Sequence, residues 1–449
     1  MTARSLTIPA TAQQAARWRA LRTARDRSVY HVTWRLGCAG RVDFDALAAA
    51  WQTVTNRHES LRSRFEELDG ELKMITEPAV DAVAQLIEPA VPEAGRAAEE
   101  FARVAAELHL GEFHLETGPM GRLALVRIGA QQEIILTIHH IAVDGWGMTV
   151  LFEELSAAYV SLARGEKPFF AHDAVSFHDY AEKLRAEEAK GRWRRTIDHW
   201  RTALDGVTLG TVAHDRELGR PTAVGDPGTT VRYRFSERAD AARSALAQEL
   251  GATPFAVMLA AWQIVLARGG ERESTIGVRS MNRTTRSELA LVGLVSNACL
   301  VRATVDDGAS IREVIGAARD ATWDVLGRQG VPFPVVHANL PQETRSRLTN
   351  VKLTLNYLGP IGRNLSLGDV RLTMLETPNR AARADMVVGY WDGEDGILSE
   401  TEYNTEAYEE ETVLRMLRDM DEVLVAAGED LDRPVGGVRV RTRSALAAW

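Results

Sequence analysis

Strand and helix signals run twice along this chain, and neither half alternates them as a parallel sheet with crossover helices requires. The stretch "YHVTWRL" (30–36) alternates apolar and polar residues, the period-two pattern of a half-buried strand. "DFDALAAAWQTVTNRH" (43–58) then sets Phe44, Leu47, Trp51 and Val54 at helical spacing. Strands are predicted at 72–76, 121–128 and 133–139. A helix is predicted from Trp146, with Met148, Leu151, Phe152, Leu155, Ala158, Tyr159 and Leu162 on one apolar stripe. A charged helical segment over about 180–205 gives way to "RELGRPTAVGDPGTT" (216–230), the best linker candidate by its Gly and Pro content. The second half resumes with a strand at 230–235, helices near 238–250 and 254–268, and strands near 274–279 and 298–305. A helix at 311–326, strands at 351–357, 369–375, 385–391 and 396–403, and a last helix over 407–427 complete it. This grammar predicts α+β lobes rather than a doubly wound sheet. At 449 residues the chain exceeds one ordinary core, which implies two or three lobes.

Composition removes several function classes. A net charge of −9 argues against a nucleic-acid partner, and "GRWRRTIDHWR" (191–201), despite its interleaved Arg and Trp, reads as a solvated, partly packed helix. Cys38 and Cys299 are too few for a disulfide framework or a zinc knuckle, which suits a reducing cytoplasm. The first residues lack the apolar core of a secretory signal. The most apolar run, "FAVMLAAWQIVLA" (255–267), is shorter than the roughly 20 residues of a membrane span. It follows Thr253 and Pro254, a helix start, and reads as a buried helix, so no membrane partner is expected.

"TIHHIAVDGW" (137–146) holds the densest chemistry. On a strand, neighbouring side chains face opposite ways, so His139 and His140 reach one site only if the strand breaks between them. That geometry, and the lack of a third suitable ligand beyond Asp144, argue against metal. Structurally, Asp144 suits a helix N-cap and His140 a satisfied core imidazole. Functionally, a neutral imidazole takes a proton from an incoming amine or hydroxyl at cellular pH. A glycine at position 145 lets the backbone approach a ligand, and the helix N-terminus favours a developing oxyanion. No G-x-S-x-G element suggests a covalent intermediate.

"HHIAVDG" (139–145) matches the HHxxxDG motif of condensation domains from nonribosomal peptide synthetases, within the chloramphenicol-acetyltransferase-like superfamily. Six further stretches resemble that family in order: "TAQQAARW" (11–18), "RHESLRSRF" (57–65), "FHDYAEKL" (177–184), "NRTTRSELALVGLVSN" (282–297), "RQGVPF" (328–333) and "EYNTEAY" (402–408). The resemblance implies two acyltransferase-like lobes in a V-shaped pseudo-dimer, residues 1–185 and 186–449, with the active site at their junction. It implies a tunnel admitting a phosphopantetheine-tethered acyl donor from one face and the acceptor from the other. His140 would carry the chemistry or position the acceptor, within a catalytic set of His139, His140, Asp144 and Gly145. Asp144 would pair with Arg283, Gly145 would lie near the thioester, and Asn297 matches the family's asparagine. Trp146, Ser296 and Asn297 are expected to touch substrate.

Departures from the family pattern bear on specificity. "GLVSN" (293–297) places Val295 and Ser296 where an aromatic and a β-branched residue are usual, which implies a reshaped acceptor side. The glutamate of the family's PFE is Pro334 here, "DYAEKL" lacks the usual tryptophan, and Arg279 matches nothing in the pattern. "NYLG" (356–359) is similar to epimerisation domains, but "DGWGM" (144–148) departs from their pattern. Neither an adenylation domain nor a carrier motif follows, so a free-standing cytoplasmic enzyme is expected. It would meet a peptidyl or acyl carrier protein in trans and acylate a small-molecule alcohol or amine, with no bound metal or cofactor. The alternatives are an acyl-CoA-dependent acyltransferase, an epimerisation-type domain and an inactive recruitment module. The plant-type DFGWG element is absent, and both motif histidines are kept.

Overall fold

The computed structural model describes residues 5–90, 96–209, 213–348, 351–359, 365–377, 379–393 and 396–441. The chain folds into two α+β lobes, each built on a large open sheet with helices packed on it, and the first also carries a small sheet of Leu6–Pro9, Glu71–Thr76 and Ser63–Leu68. In the first lobe the sheet order is Ser366–Leu367, Val370–Leu375, His31–Cys38, Gln131–His139, Gly121–Ile128 and Val83–Ile87. Only the outer pair, 83–87 with 121–128, runs parallel. The helices Phe44–Arg57 and Gly145–Ala163 send Leu47, Trp51, Leu151 and Leu155 into the core with Leu36 and Leu136. The first of these starts where the Asp43 carboxylate accepts the N–H groups of Asp45 and Ala46, a side-chain N-cap.

The second sheet runs Asn297–Thr304, Glu273–Ser280, Leu353–Gly359, Met386–Gly393, Gly396–Asn404, Asp226–Arg234 and Ala381–Ala382. Helices Glu237–Glu249, Pro254–Arg268, Ile311–Gly327 and Glu410–Glu429 contribute to its core, where Trp262 donates its indole N–H to the Tyr390 hydroxyl at 2.5 Å. The apolar helix begins where the sequence places it, with Thr253 capping the N–H of Ala256 and Pro254 in the first turn, and it is buried along most of its length. Among the described residues no single helix is long and apolar enough to cross a membrane.

Three local outcomes differ from the sequence reading. The charged segment over 180–205 is two helices, Phe177–Ala189 and Arg194–Ala203, broken at Gly191, whose φ of +66° favours glycine. Around this break the cores change over: Phe177, Tyr180 and Ala181 pack in the first, Trp193 and Trp200 in the second. The division into 1–185 and 186–449 nevertheless does not describe the whole path, because Val370–Leu375 crosses back and pairs with His31–Cys38. Leu367 and Leu372 are buried in the first core, which fixes that strand there.

The proposed linker, 216–230, is a structured crossing rather than a free tether. Asp226 is fully buried and accepts from Arg25 at 2.9 Å, from Arg220 at 3.0 Å, from the Ala223 N–H at 2.8 Å and from Asn404 at 3.2 Å. Gly225 (φ +81°) passes so near Asp26 that a Cβ there would lie 2.5 Å from its backbone nitrogen.

Candidate active site

The strand Gln131–His139 ends between the two histidines, and the break sends their rings apart. His139 is buried behind the strand, its ring at edge-on angles to His31 and Phe113, with Nδ1 accepting the Ile141 N–H at 3.1 Å. It does not line the cavity described below, so the expectation that it belongs to the catalytic set is corrected: it packs under the turn. His140 turns the other way. Its backbone N–H donates to the Tyr30 carbonyl at 2.7 Å and its ring lines the cavity.

His140 Nδ1 lies 2.7 Å from the Val143 carbonyl oxygen, which can only accept, so Nδ1 carries the proton and donates it. In the neutral ring Nε2 is then the basic nitrogen. Burial, with Arg17, Arg383 and Arg279 nearby, holds the imidazole well below its usual pKa and keeps it neutral at cellular pH.

Asp144 does structural work, as the resemblance implied. It caps the helix Gly145–Ala163 through the Gly147 N–H at 2.8 Å. It also forms a two-pronged pair with Arg283, both contacts 3.0 Å, and accepts the N–H groups of Val295 at 3.0 Å and Ser296 at 2.7 Å. Both side chains are essentially inaccessible. One carboxylate therefore ties the helix bearing the motif glycine to the 281–296 loop. Its place in the expected catalytic set is therefore that of a positioning residue, since both of its oxygens are occupied by these contacts.

Gly145 borders the cavity, and a Cβ built there meets nothing nearer than a Leu358 methyl at 3.8 Å. The turn itself does not demand glycine at 145; space for a ligand is what its missing side chain provides. The steric demand falls instead on Gly147, 3.1 Å from Val143, and on Gly293, where a Cβ would sit 2.3 Å from the Phe177 ring.

The cavity has a volume of about 1010 Å³ and takes its walls from both lobes. Trp146 lines it and donates its indole N–H across to the Leu289 carbonyl at 2.8 Å. Ser296 also lines it. Asn297 borders it, but its amide donates to the carbonyls of Gln329 and Val331 and accepts the Phe333 N–H. The expectation that Asn297 binds substrate is therefore corrected to holding the 329–333 segment. Asn356, Tyr357, Leu358 and Gly359 form another stretch of wall, beside Phe333 and Pro334.

Sequence reading missed Arg17, Tyr30 and Arg383, and left Arg279 without a role; all four line the cavity. A signal existed for the first: Gln13, Ala16, Arg17 and Ala20 share one helical face, and all four are in the wall. Among the described residues no cluster of three or more His, Cys, Asp or Glu side chains is arranged to hold a metal.

A cavity walled by two lobes, with an imidazole in its lining, suits transfer of a group between two substrates. The chain matches the sequence model of a family described as "Condensation domain" over residues 5–443. It is 26% identical over 440 residues to malpinin synthetase of Mortierella alpina, covering 96% of this chain and 6% of that protein. Against phosphinothricin tripeptide synthetase PhsB of Streptomyces viridochromogenes it is 28% identical over 446 residues, covering 96% and 36%. The chain thus spans only a small part of these curated relatives. The crystal structure of the first condensation domain of the CDA synthetase superposes with a TM-score of 0.82 at 18% identity, covering 97% of this chain and 99% of that one.

Proposed function

The chain belongs to the condensation-domain family, whose members are acyltransferase-type enzymes. From that premise we propose that it moves an acyl or aminoacyl group from the phosphopantetheine thioester of a separate carrier protein to a small-molecule alcohol or amine. The product is an ester or amide, and no metal or cofactor of the enzyme's own takes part. In this reading it works in the cytoplasm on carriers presented in trans.

In the proposed step the acceptor's oxygen or nitrogen attacks the thioester carbonyl while its proton passes to His140 Nε2. The tetrahedral oxyanion develops beside the N-terminus of the helix Gly145–Ala163, where the dipole favours negative charge. The C–S bond then breaks, and the leaving thiolate takes the proton back from His140. No covalent enzyme intermediate forms. The observation that carries this reading is the His140 ring, with Nδ1 committed to Val143 and the imidazole in the wall of a two-lobe cavity.

Epimerisation is the second reading, favoured by the 356–359 stretch in the cavity wall. It needs a proton removed from one face and delivered to the other. The carboxylates in the wall are Asp144, fully engaged, and Glu153, which leaves this reading the weaker one.

The test offers the protein an aminoacyl carrier protein and, separately, the matching acyl-CoA, with alcohol and amine acceptors, in D2O. Product from the carrier alone supports the proposal. Product from acyl-CoA moves the donor to coenzyme A, α-deuteration without product supports epimerisation, and an inert thioester in every arm leaves a recruitment module.

A further inference from the structure

We propose that the part of the cavity bounded by Arg17, Arg279 and Arg383 is a carboxylate subsite, so that one of the two substrates meeting at His140 carries a free carboxylate. The inference rests on reading this cavity as the meeting place of donor and acceptor, and adds the charge that one of them must bear.

The three guanidinium groups come from separate elements: the helix Ala12–Thr23, the strand Glu273–Ser280, and the residue after Ala381–Ala382. Arg383 is matched, with Glu402 accepting at 2.9 Å. Among the described residues no carboxylate pairs with Arg17 or Arg279. Arg17 stacks over the Tyr30 ring, 4.1 Å from its centroid, and its buried Nε has no hydrogen-bond partner. The Tyr30 carbonyl is the acceptor for the His140 N–H, so this group of cations adjoins the reacting imidazole. Asp144 cannot serve as counter-charge, since Arg283 and three backbone N–H groups fill its oxygens. Glu153 is the other carboxylate in the wall; it is solvent-exposed and makes no ion pair with these arginines.

Arg383 has its counter-charge in Glu402, but Arg17 and Arg279 crowd it without a carboxylate of their own among the described residues, and repulsion between like charges penalises such a group. Such an arrangement suits a ligand that brings the missing anion, and the planar guanidinium fork matches a carboxylate. The pantetheine phosphate does not fit: it sits at the far end of the arm from the thioester, whereas these arginines adjoin the residue that faces the thioester. A bound carboxylate also offsets the cationic field at His140, making its ring a stronger base once that substrate is in place.

The carboxylate can come from the donor or from the acceptor, and binding measured apart from catalysis separates them. Isothermal titration of the full chain uses two matched pairs: succinyl- against butyryl-pantetheine, and 3-phenyllactate against its methyl ester. In one pair the acid is expected to bind at least about tenfold tighter, the worth of one charge-assisted contact. That preference is expected to fall to within about twofold in Arg279→Gln and in Arg17→Gln, and to survive in Arg279→Lys. The pair that shows it names the source. Two variants on different elements guard against one failing to fold. Equal binding of acid and neutral partner in both pairs, or a preference unchanged in both glutamine variants, overturns the subsite. A carboxylate preference in a protein that transfers nothing would sink the acyltransfer reading and leave the subsite standing.

Discussion

Replacing Asp144 by alanine is expected to cost a large part of the protein's stability, because that carboxylate holds five contacts at the lobe junction. Its loss leaves the Arg283 guanidinium, whose side chain is inaccessible, with the carbonyls of Met281 and Leu291 as its remaining acceptors. It also strips an acceptor from the N–H groups of Gly147, Val295 and Ser296. Breaking a buried pair costs about 3–5 kcal/mol. Losing the helix cap adds roughly 1 kcal/mol. The sum, about 4–6 kcal/mol, compares with the 5–15 kcal/mol typical of a whole domain. Asp144→Asn is expected to recover little, since an amide NH2 would meet donors where the second oxygen now accepts. Urea unfolding of Asp144→Ala, Arg283→Met and the double variant gives the coupling directly. The double variant is expected to be at least about 2 kcal/mol more stable than the sum of the single effects requires, since it leaves no stranded charge. A single-variant cost under about 1 kcal/mol, or additivity within about 0.5 kcal/mol, would refute the account of this pair as the tie between lobes.

Two glycines separate fold from function. Gly293→Ala drives a methyl into the buried Phe177 ring and is expected to destabilise by about 1–3 kcal/mol or more, read as a lowered unfolding midpoint. Gly145→Ala meets only a Leu358 methyl, at an unstrained 3.8 Å, and is expected to keep or raise stability by up to roughly 1 kcal/mol while lowering transfer rate, since the methyl occupies substrate space. Acid should weaken the fold through His31 and His109, both lowered to about 4 chiefly by burial. Because the folded pKa lies below the unfolded one near 6.5, the unfolded chain takes up protons first. Their contribution is intact above pH ~6.5 and is lost as pH falls toward 4, on the order of 3 kcal/mol per ring. Unfolding free energy measured across that range, flat in the wild type or equally steep in His109→Gln, would contradict this.

Much of the architecture was legible because apolar spacing declares which faces are buried. The helices at Phe44, Gly145 and Pro254, and most strand positions, follow from such stripes together with caps such as Asp43 and Thr253. What was not legible depends on partners distant in sequence. Strand Val370–Leu375 looks like its neighbours in the chain, and only its pairing with His31–Cys38 places it in the other lobe. Asp226 sits in a Gly- and Pro-rich stretch that reads as a loop, and its burial is set by Arg25, two hundred positions away. At the site, His140, Asp144 and Arg283 were readable from motif residues, and strand geometry anticipated that the two histidines would part. The arginine cluster was not, because three single residues on three elements leave no local pattern.

The central claim is that the imidazole at position 140 accepts the attacking group's proton. Single-turnover ester formation from a loaded carrier protein and an alcohol acceptor, compared between wild type and His140→Ala, tests it most directly. General-base assistance predicts a loss of about 10²–10⁴-fold for the alcohol, with slow amide formation surviving because an amine brings its own lone pair. A folded His140→Ala protein that forms ester within about twofold of the wild-type rate would contradict it.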